Sequence, residues 1–275
     1  MSWIKKNWTT ILLVVIMLVG IGLFAYPTFS DYWNSFHQSK AVASYVENVT
    51  NMNKEEYDRL WNEAVAYNEK LAGSGIQWIM TDEEKKEYNE YLKVDDSGIM
   101  GYVDIPVIDC LLPIYHGIDE SVLQVAIGHI EGTSLPVGGK GSHCVISGHR
   151  GLPSARLFTD LDKMVEGDIF MLHTLDATLT YEVDQIRIVE PTDLSDLQIE
   201  EGEDLCTLVT CTPYGINTHR LLIRGHRIAN REDGGNVRIS ADATQLDPVQ
   251  VAPFLAAPIL MILLVWVFFG NRRRR

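Results

Sequence analysis

A mainly β fold is predicted for this chain: a closed or nearly closed antiparallel barrel with short helices, preceded by a helical segment and flanked by two transmembrane helices. Three observations predict it. From about Gly101 to residue 230 the chain is built of short β-branched or alternating runs punctuated by Gly, Pro and Asp, the spacing of a small barrel. Before them, apolar residues recur at three- and four-residue steps, the period of amphipathic helices. Outside both regions lie two uncharged apolar runs of about 20 residues each, the length a helix needs to cross the hydrocarbon core.

Taken in order, residues 1–7 form a short N-terminus carrying Lys5 and Lys6. The first apolar run, 8–27, fits a transmembrane anchor or a signal peptide. A small-x-small cleavage pattern is not evident in "GLFAYPTFSDYW", which favours the uncleaved anchor. Residues 28–100 read as an exterior helical segment with a lid. Tyr57, Leu60, Trp61, Ala64, Val65 and Leu71 mark one helix. Asn53 is its N-cap, Glu56 is placed for a capping box, and Gly73-Ser74-Gly75 is the stop. "TDEEKKEYNEYL" starts a shorter helix, with Thr81 as cap and Glu84 three residues on. Residues 101–230 hold the barrel, with one helical insert expected at about Ser154 to Met164. Polar residues 231–250 read as a tether, 251–270 as the second transmembrane helix, and 271–275 as a basic tail.

Basic flanks stay in the cytoplasm, so Lys5-Lys6 and Arg272 to Arg275 place both termini inside and the middle outside. Trp3, Trp8, Tyr26 and Trp266 suit the membrane interface. Without those six cations, 17 basic residues face 37 acidic ones, a formal charge of −20 on the exterior region. Nucleic acid, which is bound through basic contacts to phosphate, is not a fitting partner. A basic partner is.

Four cysteines, Cys110, Cys144, Cys206 and Cys211, permit disulfides in an exported domain but contain no Cys-x-x-Cys pair for zinc or thioredoxin-type chemistry. Cys110, Cys144 and Cys206 sit inside apolar segments and read as core. Cys211 differs. In "LVTCTPYGINTHRLLIRGHR" it ends a strand on the face shared by Thr207 and Val209. The loop Pro213 to Asn217 then folds the next strand back, bringing Arg220 to the same end of the ladder. A thiol beside a permanently charged guanidinium fork suits acyl transfer, the arginine steadying an oxyanion; a buried cysteine and a solvent-facing arginine are the bland alternative. His149 closes the run "HCVISGHRG" just before a glycine turn, and His143 shares its parity, so both could face one side. His143-x5-His149 lacks a third metal ligand, and a lone histidine is more often structural than catalytic.

The stretches "TLVTCTPYGINTHRLLIRGHR", "GHIEGTSLPVGGKGSHCVISGHRGLPSARLFTDLDKMVEGD", "GYVDIP" and "LPIYHG" resemble the sortases, and within them the pilin-polymerising class C group. The resemblance covers nearly half the chain, from Gly101 to Arg227, and the helical lead and second span also resemble class C architecture. It implies a sortase-type closed β-barrel and a catalytic trio of His149, Cys211 and Arg220. Cys211 would attack a Leu-Pro-x-Thr-Gly-like sorting signal between Thr and Gly, forming a thioacyl enzyme. His149 would handle the protons, and Arg220 would hold the motif and the oxyanion. The acceptor implied is a pilin lysine, and no metal or organic cofactor is required. Class C lids commonly carry Asp-Pro-aromatic. Here "LAGSGIQWIMTDEE" has no Asp-Pro, and Trp78 is the candidate lid ring, capping Cys211 without the acid or simply packing on the barrel. The alternatives to pilin polymerisation are transfer to a peptidoglycan amine, a cysteine peptidase in which water resolves the thioester, and a non-enzymatic membrane scaffold.

Overall fold

A computed structural model of the chain describes residues 7–230. The expected tether, second span and basic tail lie outside the described residues, as do Lys5 and Lys6. Within the described part, residues 7–33 make one unit and 34–230 a second, compact one.

Helix α1, Trp8–Thr50, is longer than the predicted span. Proline inside a helix removes one backbone donor and crowds the preceding turn, yet α1 continues through Pro27. Among the described residues it is the one helix long and apolar enough to cross a membrane, which supports membrane anchoring. Its last turns dock on the barrel. Val42, Tyr45 and Val49 are buried, and the Tyr45 hydroxyl donates to Met100 O at 3.0 Å and accepts from Leu175 N at 2.8 Å.

Helix α2, Lys54–Ser74, starts where predicted, with the Asn53 side chain accepting from Glu56 N. The box does not close: the Glu56 carboxylate pairs with Arg59 instead. Leu60, Ala64 and Leu71 face the core, and the helix stops at Gly75, whose φ of 80° suits only glycine well. Asn68 is buried and clamps the loop before the fourth strand, donating to Leu135 O and Gly138 O and accepting from Leu135 N. Helix α3, Asp82–Tyr88, opens with the full Thr81–Glu84 capping box.

Eight strands close the barrel: β1 Ile99–Ile105, β2 Cys110–His116, β3 Ile127–His129, β4 Ser142–Gly148, β5 Ile169–Thr174, β6 Ala177–Val189, β7 Asp204–Thr212 and β8 His219–Ile228. The order around it is β1-β2-β3-β4-β7-β8-β6-β5. A short helix, α4 (Glu120–Leu123), lies between β2 and β3. The antiparallel expectation is corrected at two places: β2 runs parallel to β3, and β4 parallel to β7. Parallel neighbours need a crossover; α4 lies in the first, while β5 and β6 lie between β4 and β7 in sequence.

The helical insert expected at Ser154 to Met164 is also corrected. Only Leu161–Lys163 forms a turn of 3₁₀ helix, and Leu157 has a φ of 39°. Ala155, Leu157, Phe158, Leu161 and Met164 are all buried. That is more of the circumference than one helix face presents, so burial sets an irregular path. The barrel interior is a single cluster that includes Val103, Ile114, Ile146, Phe170, Leu172 and Leu208. A smaller one, Val145, Leu197, Val209 and Leu222, covers the outside of β4, β7 and β8.

Candidate active site

Strands β7 and β8 pair so that Cys211 stands directly opposite Arg220, and Val209 opposite Leu222. Alternation puts Cys211 on the outer face with Val209, away from the interior taken by Cys206 and Leu208. It is half-buried, whereas Cys110, Cys144 and Cys206 are buried; all four are free thiols. Burial raises the Cys110 thiol to about 12, which holds it protonated and unreactive. Cys144 and Cys206 face each other across β4 and β7 inside the barrel.

The parallel pairing of β4 with β7 supplies the histidine. Ser147 lies opposite Val209, and His149 follows the last residue of β4, Gly148, at the end of the sheet where β7 carries Cys211. The strand ends are tied there, Thr210 Oγ1 donating to Gly148 O at 2.8 Å and Phe158 N to His149 O at 3.2 Å. Gly148 has no room for a side chain: a Cβ would stand 2.7 Å from both Ile127 Cγ2 and Phe158 Cδ2. The His149 ring is 28% exposed, and its Nε2 lies 4.0 Å from Glu120 Oε2. His143 shares the parity of His149 but not its surroundings. It is fully buried, its ring nitrogens meet Gln198 O and Thr207 Oγ1 at 2.7 Å each, and burial lowers its pKa. It is a structural residue.

Arg220 Nη1 donates to His219 O at 3.2 Å and Asn217 O at 3.4 Å, both in its own hairpin. Among the described residues no carboxylate lies within ion-pair distance of it, so its charge is available to a bound carbonyl or oxyanion.

Arg150, which sequence reasoning passed over, joins the two halves of the site. Its side chain is only 9% exposed. It pairs with Asp162, reaches Thr212 Oγ1 at 3.4 Å, and lies 5.9 Å from the centre of the Tyr214 ring. It thus ties the loop after His149 to the loop after Cys211. Gly151 makes way for the same ring, since a Cβ there would stand 2.9 Å from Tyr214 Cε2.

Trp78 is partly buried against the cluster of Val145, Val209 and Leu222. Val209 and Leu222 form the cross-strand pair that precedes Cys211 and Arg220 on the outer face. The segment around Trp78 is held by one backbone bond and two side-chain contacts. Gln77 N donates to Gly132 O at 3.1 Å, Gln77 Nε2 donates to Glu84 Oε1 at 2.7 Å, and Lys85 pairs with Glu131 at 3.2 Å. Gly132 permits this approach: its φ is 81°, and a Cβ would fall 2.0 Å from Gln77 O. Gly132→Ala should therefore push residues 76–78 off the barrel. Hydrogen-exchange mass spectrometry should read an increase of tenfold or more in exchange over this segment, corresponding to a cost of about 1.4 kcal/mol or more.

The family description "Sortase domain" matches residues 103–228. Among solved structures, sortase C1 of Streptococcus agalactiae is 54% identical, with a TM-score of 0.68, over 70% of this chain and 99% of that one. Sortase C of Streptococcus pneumoniae is 46% identical, with a TM-score of 0.62, over 70% of this chain and 97% of that one. Sortase C of Clostridium perfringens, solved with the C-terminal cell wall sorting motif, is 41% identical, with a TM-score of 0.62, over 70% of this chain and 100% of that one.

Proposed function

Because the chain belongs to the sortase family of cysteine transpeptidases, and within it to class C, we propose that it joins pilin subunits through a sorting signal and an acceptor lysine. The observation that carries this reading is the direct pairing of Cys211 with Arg220 on β7 and β8, at the same end of the sheet where His149 follows β4. Cys211 attacks the carbonyl between Thr and Gly of an LPXTG-like signal. The C–N bond breaks, His149 protonates the departing amine, and a thioacyl enzyme remains. A pilin lysine then displaces the sulfur and leaves an isopeptide bond. Arg220 holds the signal and the developing oxyanion.

The relatives support the substrate class. The Clostridium perfringens sortase C is seen with a C-terminal cell wall sorting motif, and the work on the Streptococcus pneumoniae enzyme concerns pilin substrate specificity. Anchoring to a peptidoglycan amine uses the same three residues and differs only in the acceptor. To separate the readings, the full chain in detergent is mixed with a sorting-signal peptide, a lysine-bearing pilin domain and a peptidoglycan-type amine. An isopeptide-linked pilin product supports the proposal. Exclusive use of the wall amine, or hydrolysis alone, removes it.

Trp78 is the lid ring in this reading, covering the approach to Cys211 from the Val209–Leu222 side. Trp78→Ala should speed labelling of Cys211 by a maleimide by about three- to tenfold, an opening cost on the order of 1 kcal/mol. Equal rates in wild type and variant would eliminate the capping role.

A further inference from the structure

We propose that Glu120 is the docking group for the acceptor's ammonium, a subsite beside His149 that selects a lysine over water. This inference rests on the transpeptidase reading above and names how its second substrate is received. The Glu120 carboxylate is 74% exposed and directs Oε2 toward His149 Nε2, 4.0 Å away, while its other oxygen, Oε1, accepts a hydrogen bond from Gln124 Nε2. Gln124 thus fixes one oxygen and leaves the other facing the proposed base. The segment behind it is anchored, since Gln38 Nε2 from α1 donates to Val125 O at 2.7 Å. In the segment after His149, Asp162 is neutralised by Arg150, and Asp160 by Arg156 and Lys163. Among the described residues, Glu120 has no lysine or arginine within ion-pair distance. A carboxylate next to the proposed base, held in orientation and lacking a permanent counter-ion, matches an incoming cation.

The chemistry gives such a group a role in capture. A lysine, with a pKa of about 10.4, arrives charged at neutral pH and must shed a proton before it attacks. An ionised carboxylate accepts hydrogen bonds from ammonium and from water alike, and only the ammonium adds the attraction of opposite charges. In the transfer, R–NH₃⁺ gives one proton to solvent and attacks the thioester carbon. The C–S bond breaks as the C–N bond forms. The second nitrogen proton passes through His149 to the sulfur, leaving an amide, the Cys211 thiol and one released proton. Since the subsite is at the rim, its effect falls on acceptor capture and on the salt dependence of transfer.

The test uses the full chain in detergent with a sorting-signal peptide and two acceptors, a lysine peptide and hydroxylamine, which is uncharged near pH 7. For Glu120→Gln the ratio of lysine to hydroxylamine transfer, each as kcat/KM, should fall about fivefold. The salt dependence of the lysine reaction should flatten, and Glu120→Asp should recover part of the ratio. An unchanged ratio overturns the subsite. So does an equal loss with both acceptors, which would make Glu120 a residue that merely orients His149. A wild-type chain that forms no acyl-enzyme from the peptide refutes the transpeptidase chemistry itself, and the amine subsite with it.

Discussion

Cys211→Ala is expected to abolish formation of the acyl-enzyme and of every product derived from it, a loss of at least ~10⁴-fold. The size follows from the role: no other described thiol can substitute. Cys110, Cys144 and Cys206 are buried, and the Cys110 thiol is pushed up to about 12. The fold should not notice the change. Cys211 is half-buried at the last turn of the ladder, and truncating such a residue typically shifts stability by about 0.5 kcal/mol or less. Product analysis and a urea melt on the same preparation check both halves. A variant that keeps transfer activity would remove Cys211 as the nucleophile.

Arg220→Lys should lower kcat/KM for the sorting-signal peptide about 10²- to 10³-fold, roughly 3–4 kcal/mol of transition-state stabilisation. The substitution keeps the charge and removes the planar fork, so it isolates geometry from electrostatics. Arg220 donates only to two carbonyls of its own hairpin, Asn217 O and His219 O, and no described carboxylate holds it. The loss is therefore assigned to the missing substrate contact and not to a broken internal ion pair. Steady-state kinetics with the peptide and a lysine acceptor measures it. A variant within about threefold of wild type would reduce Arg220 to a source of charge.

The hairpin was the most legible part of the site. Strand alternation and a turn-forming loop suffice to pair Cys211 with Arg220, because both lie within one local unit. The helix starts at Asn53 and Thr81 were equally readable, since caps are local chemistry. His149 was different. Its place at the Cys211 end of the sheet depends on β4 running parallel to β7, strands far apart in sequence with β5 and β6 between them, and no periodicity in either segment encodes that partnership. Parity groups His149 with His143, but His143 is buried on the outer face and held by Thr207 and Gln198. The stretch from Ser154 to Met164 failed for a related reason: its apolar residues fill the barrel end instead of lining one helix face. Arg150, Gly132 and Glu120 carried no signal of their own. Their positions matter only because Thr212, Gln77 and His149, each distant in sequence or on another loop, come to meet them.

The identity of the acylated residue tests the account most directly. The full chain in detergent is incubated with a sorting-signal peptide, quenched in acid to preserve thioesters, digested and analysed by mass spectrometry, with and without a chase of lysine peptide. The account predicts an acyl adduct ending in threonine on Cys211 alone, lost on the chase with stoichiometric appearance of an isopeptide. An adduct on another residue, or none while product still forms, would contradict it.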